Sequence, residues 1–192
     1  MDLTQSPRSY ALQHRLEAFI AERVAPHEAA FTSARHETPA VQPVIVGELQ
    51  HEARAAGLWN LNVRDPAYGA GLTALEYAPI AEVLGRSRLA QEATNTDPPS
   101  SINSDALIAY GSADQKARWL EPQLDGRIRS AFAMTEPDVA SSDASNMAMT
   151  AVRDGDSWVL TGSKWWISGV LHPNCGYLMT VANTESTHGA CI

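Results

Sequence analysis

Residues 131–170, AFAMTEPDVASSDASNMAMTAVRDGDSWVLTGSKWWISGV, decide what fold this chain can take. They set a polar, turn-forming loop, Thr135-Glu136-Pro137-Asp138 through Ser141-Ser142-Asp143, just ahead of two strand-like runs. The second run ends in Lys164-Trp165-Trp166-Ile167-Ser168-Gly169. Residues 130–134, 147–153, 158–161, 164–167 and 177–182 have the length and composition of strands. Asp154-Gly155-Asp156-Ser157 and Thr161-Gly162-Ser163 are the turns between them, so consecutive antiparallel strands are expected.

Upstream the pattern is helical. Ser6-Pro7 combines a capping serine with a proline at the first helical position. Tyr10, Leu12, Leu16, Phe19, Ile20 and Val24 then recur on one face. Pro39 and Pro43 break the pattern, and residues 44–56 form a short helix stopped by Gly57. Residues 60–72, rich in Asn, Pro and Gly, read as a loop; a helix follows over about 73–87, then a second loop at 94–101. Helices over 102–110 and, behind Ser112, over 113–124 complete this half. The expectation is an α+β chain: an all-α domain over 1–127, then the first strands of an antiparallel β-domain over 128–192.

Composition narrows the function classes. With 44% apolar and 19% charged residues the chain is an ordinary folded protein, and its formal net charge of −8 disfavours nucleic acid as a partner. The start has no apolar signal core and no run reaches membrane-spanning length, so a cytoplasmic location without a membrane span is expected. Cys175 and Cys191 have no metal-ligand spacing and read as idle thiols, and the histidines give no metal site either. Dinucleotide, P-loop and hydrolase-elbow motifs are absent.

Two features remain as chemistry. Thr135, Ser141 and Ser142 offer hydroxyls, and small residues at 140–142 let a ligand approach backbone N–H groups. On composition alone the plainer reading, a surface loop, is favoured. Trp165 and Trp166 in a strand would point to opposite faces, one into the core and one toward a cleft. Core packing is the commoner use of such residues. Glu136 alone is poor evidence for acid–base chemistry.

Taken together and in order, these residues resemble the acyl-CoA dehydrogenase family. The match rests on Phe132-Ala133-Met134-Thr135-Glu136-Pro137, the small-residue loop through Ser141-Ser142-Asp143, and GDSWVLTGSKWWISG at 155–169. It continues more loosely through 67–87 and 110–130. The resemblance implies a helical domain, a middle β-domain and a C-terminal four-helix domain, with FAD between the last two and an acyl thioester against the flavin. Phe132, Met134 and Thr135 would line the flavin, Trp166 would pack on it, and Ser168 would reach the cofactor. Ser141 or Ser142 would contact the FAD pyrophosphate and help bind the acyl-CoA, while Lys164 and Glu136 would be structural.

Two departures qualify the resemblance. Asp138-Val139-Ala140-Ser141-Ser142 stands where many members have glycines, as in a subgroup with TEPDVASSDA often joined to a kinase-like domain and associated with longer acyl chains. This leaves open which serine meets the pyrophosphate. The sequence also stops at Ile192, inside the β-domain, and nothing in it matches the family's glutamate base or C-terminal helices. The resemblance therefore implies one wall of a site, inactive alone, in a homo-oligomer or beside a partner supplying the rest. The implied partners are an acyl-CoA or acyl carrier protein thioester and, for a complete enzyme, electron-transfer flavoprotein. The alternatives are a flavin monooxygenase or nitroalkane-oxidase-like member of the same fold, and a flavin-free interaction module.

Overall fold

A computed structural model describes residues 3–39, 41–184 and 190–191. Helix α1 (Pro7–Phe19) begins as the sequence requires. The Ser6 hydroxyl accepts from the Ser9 N–H at 3.2 Å, and Pro7 occupies the first turn. The helix widens into a π turn over Ile20–Val24 and tightens over Ala25–His27 at Pro26, then continues as α2 (Glu28–Glu37). Helix α3 (Val44–Ala55) stops where Gly57 adopts φ +65°. There the Gly57 N–H donates to Arg54 O and the Leu58 N–H to Ala53 O, so two of the helix's last carbonyls are satisfied.

Helix α4 (Ala74–Leu84) opens with a reciprocal cap, Thr73 Oγ1 accepting from the Glu76 N–H while Glu76 accepts from the Thr73 N–H. It is shorter than expected because Ser87 caps a new helix, α5 (Arg88–Thr94). The expected loop over 94–101 shrinks to 95–97, since Pro98 suits the first turn of α6 (Pro98–Tyr110). Short α7 (Ala113–Gln115), a π turn over Lys116–Leu120 and α8 (Glu121–Leu124) fill the helix expected over 113–124. Leu16, Val24, Leu49, Leu58, Ile80 and Leu89 are fully buried at the centre of one continuous core.

The strands are β1 (Arg129–Ala133), β2 (Thr150–Asp154), β3 (Ser157–Thr161), β4 (Cys175–Thr180), β5 (Ala182–Thr184) and β6 (Ala190–Cys191). One sheet pairs β1 with β4, and the other runs β3-β2-β5-β6. The β2–β3 hairpin is antiparallel, as expected, with Val152 opposite Val159 and Gly155 at φ +58° in its two-residue turn. The β5–β6 pair is also antiparallel, but β1–β4 and β2–β5 are parallel. The reason lies in residues 164–167, which form no strand. They belong to a long connection that lets β4 return alongside β1 in the same direction.

Cys175 is a free, half-buried thiol whose pKa burial pushes up. The expectation for the Cys191 thiol falls outside the described side chains. Among the described residues no helix is long and apolar enough to cross a membrane, and no three metal-ligating side chains cluster.

Candidate functional site

Strand β1 and the residues after it deliver Phe132, Met134 and Thr135 to a cavity of about 730 Å³. Trp166, Ser168 and Gly169 of the connecting segment form the facing wall, and Pro98 and Ile102 of α6 close one side. Thus Phe132, Met134, Thr135, Trp166 and Ser168, singled out in the sequence, meet at one place. Ser141 and Ser142 do not line this cavity. Ser141 is buried, with its hydroxyl accepting from the Glu136 N–H at 2.6 Å, and Ser142 is exposed on the same loop.

A buried ion pair sets the two walls. Lys164 Nζ donates to Glu136 Oε1 and to Met134 O, each at 2.8 Å. The side chains are only 8% and 3% exposed. Glu136 also accepts from the Ala148 N–H at 2.7 Å and the Met149 N–H at 2.9 Å. Burial by itself would push this carboxyl up, but the Lys164 and backbone donors outweigh it and hold the pKa below the usual carboxylate range. The Trp165 N–H donates to Thr135 O at 3.0 Å. Lys164 and Glu136 therefore position residues 134–135 against residues 165–168.

Trp166 breaks the strand expectation directly. Its φ is +55°, a region a bulky side chain enters only under constraint. The indole is 82% exposed, and Trp165 is 47% exposed, so neither tryptophan fills a core. The indole borders the cavity just described and a second of about 390 Å³ lined by Met149, Leu160, Trp165 and Leu178.

A charged cluster sits beside the main cavity. Arg129, the first residue of β1, bridges Glu92 of α5 and Asp97, the latter at 2.6 Å. Burial would raise the Glu92 carboxyl, yet the neighbouring His172 and Arg129 hold it below its ordinary value. His172 Nδ1 accepts from the Asn174 N–H at 3.1 Å, which leaves Nε2, 3.6 Å from Glu92, to carry the ring proton. Sequence reasoning passed over Glu92, Asp97, Arg129 and His172. No local signal marked them: Glu92 follows polar Gln91 in Leu89-Ala90-Gln91-Glu92-Ala93, which reads as an ordinary half-polar stretch.

A helical domain feeding a short strand, a clasped loop and a ligand-sized, partly aromatic cavity is an arrangement suited to a small-molecule site. The acyl-CoA dehydrogenase N-terminal domain profile matches residues 6–127, and the middle-domain profile matches residues 131–191. The chain belongs to the acyl-CoA dehydrogenase family. It is 44% identical over 189 residues to the probable acyl-CoA dehydrogenase FadE2 of Mycobacterium tuberculosis, covering 96% of this chain and 46% of that one. A solved structure from Mycobacterium abscessus, described as an acyl-CoA dehydrogenase, superposes with a TM-score of 0.90 at 45% identity. That match covers 96% of this chain and 48% of the other. A glutaryl-CoA dehydrogenase of Mycobacterium smegmatis in complex with FADH2 matches at 25% identity and a TM-score of 0.66, over 95% of this chain and 44% of that one. The chain thus spans about half the length of these relatives.

Proposed function

We propose that this chain supplies the flavin-facing wall of an FAD-dependent acyl-CoA dehydrogenase acting on an acyl thioester. The observation that carries the proposal is Trp166. A fold holds an exposed indole at positive φ only when surrounding structure over-determines it, and such outliers collect at ligand sites. Here the indole stands beside the hydroxyls of Thr135 and Ser168 and the apolar surface of Phe132 and Met134. This set suits a flat heteroaromatic ring with polar edges.

When bound, FAD would accept the hydride from the thioester's β-carbon. Phe132 and Met134 would exclude water from one face, Thr135 and Ser168 would hydrogen-bond the ring's polar edges, and Trp166 would fix its tilt. Of the loop serines, exposed Ser142 is better placed to meet a pyrophosphate or the thioester's pantetheine arm. Ser141 would hold the loop closed through its bond from the Glu136 N–H.

The α-proton needs a base, and the buried carboxylates around the site are committed elsewhere. Glu92 and Asp97 pair with Arg129, and Glu136 pairs with Lys164. Glu92 and Glu136, held below the ordinary carboxylate range, are poor proton acceptors, so they orient the site rather than abstract a proton. The acceptor of the electrons, in this proposal an electron-transfer flavoprotein, completes the cycle.

Titration of the apoprotein with FAD tests the proposal. Saturable uptake with a perturbed flavin spectrum is expected. Trp166→Ala should weaken binding about tenfold or more while leaving circular dichroism unchanged. A protein that takes up no FAD, or a W166A variant that binds it equally well, would overturn the proposal.

A further inference from the structure

We propose that Arg35 and Arg88 form an oxyanion subsite at the edge of the main cavity, taking a carboxylate or phosphate borne by the ligand. The assignment of that ligand to an acyl thioester rests on the function proposed above; the anion site itself does not.

The charge of the cavity favours an anion. The cavity is lined by three guanidinium groups, Arg35, Arg88 and Arg129, and two carboxylates, Glu92 and Asp97. Both carboxylates are within ion-pairing distance of Arg129. That cluster alone carries a net −1, and Arg35 reaches Glu92 electrostatically. One arginine therefore offsets the surplus, and one positive charge remains. A surplus cation in a pocket of a chain with net charge −8 runs against the average surface.

Local contacts engage Arg35 only in part and the Arg88 side chain not at all among the described residues. Arg35 Nη1 donates to Pro39 O at 2.9 Å, which aims the guanidinium but leaves its other N–H groups unspent. Among the described residues, no hydrogen bond or ion pair engages Arg88. Arg88 is the first residue of α5, where the helix dipole disfavours a cation.

Both arginines also line an adjoining cavity of about 560 Å³, which shares Trp166, Ser168 and His172 with the main one. They thus line both spaces, and neither lines the second, apolar cavity. A planar, forked donor pair at such a junction recognises an oxyanion in preference to a neutral group. Two sources carry that chemistry, a charged far end on the acyl chain and the diphosphate of FAD. Ser141 and Ser142, proposed for the diphosphate, line neither of the cavities that the arginines share, which favours the acyl end.

The test uses the intact protein and three probes measured by calorimetry: inorganic phosphate, FAD, and adipoyl-CoA against hexanoyl-CoA. Phosphate should bind the wild type weakly, and Arg88→Gln or Arg35→Gln should reduce that affinity about tenfold, as expected for one charge-assisted contact at a partly exposed site. With FAD bound, adipoyl-CoA should bind more tightly than hexanoyl-CoA, and either variant should erase the preference without altering hexanoyl-CoA or FAD binding. Loss of FAD affinity together with phosphate affinity would keep the subsite but assign it to the cofactor's diphosphate. Phosphate binding that both variants leave unchanged would overturn the inference. Variant-sensitive phosphate binding with no effect on any other probe, an adventitious ion only, would overturn it too. If the protein binds no FAD yet the binding of phosphate and of adipoyl-CoA both depend on the arginines, the proposed function falls and the anion site stands.

Discussion

The helical half and the strand half of this molecule are held together by different physics. From α1 to α5 the chain closes its own core, with Leu16, Leu49, Leu58, Ile80 and Leu89 sealed from solvent. Among the described residues the strand half has a smaller interior, made of Ala131, Ala133, Met147, Met149, Ala151, Val181 and Ala182, and every residue of β3 is exposed, Trp158, Val159 and Leu160 among them. What orders it are buried polar contacts: Lys164 with Glu136, Arg129 with Glu92 and Asp97. Apolar burial is non-directional, whereas a buried ion pair is stable in only one geometry. The half that must present Trp166, Thr135 and Ser168 at defined positions is thus the half built from directional contacts.

Breaking the clasp is expected to have the largest effect. Lys164→Met leaves Glu136 buried beside its backbone donors without a countercharge and should cost about 3–5 kcal/mol in denaturant unfolding. The pH dependence should change sign with it. In the wild type the folded-state pKa of Glu136 is depressed, so its stabilisation is present above the ordinary carboxylate range. It is lost as pH falls through the depressed value. In K164M the uncompensated carboxylate favours protonation, and mild acidification should restore part of the lost stability.

Leu49→Ala, in the sealed helical core, should cost about 2–5 kcal/mol through lost burial and a residual cavity. It should leave the local order of residues 164–168, followed by hydrogen exchange, intact in the molecules that remain folded. An equal loss of protection in both halves would show that they unfold as one unit.

Trp166→Gly should act in the opposite direction. Relief of strain at positive φ, about 1–3 kcal/mol, outweighs the roughly 0.5–1 kcal/mol entropic cost of glycine. A thermal midpoint equal to or slightly above wild type is expected, together with weakened FAD uptake. A clear drop in midpoint would mean that the indole packs for stability after all. Leu160→Ser on exposed β3 should change stability by no more than about 0.5 kcal/mol. A larger loss would show that this face is covered in solution.

Much of the helical half was legible because its signals are local. Ser6-Pro7, Ser112 and Gly57 each act within one turn, and each behaves as its residue type predicts. Helix α5 escaped notice because Ser87 both follows one helix and caps the next, without a proline or glycine run between. At the site, Phe132, Met134, Thr135, Trp166 and Ser168 could be named only through the resemblance to the acyl-CoA dehydrogenase family. The four strand-like residues Lys164–Trp165–Trp166–Ile167 could not be told from a strand, because β-composition reports side chains that suit a sheet and not whether a partner is available. Arg129, Glu92, Asp97 and His172 are separated by up to 80 residues, as their numbers show, and no local pattern links them.

The sequence by itself determined most helices of the first half, the hairpin at Gly155 and the α+β class, since each depends on periodicity or turn chemistry, and the resemblance to a known family added five residues of the cavity. Only the tertiary structure decided that Trp166 would stand exposed at positive φ, that two strand pairs would run parallel, and that Arg35 and Arg88 would face the same space. Those outcomes depend on which distant segments meet, and a buried charge chooses its partner only when the fold has brought the candidates together.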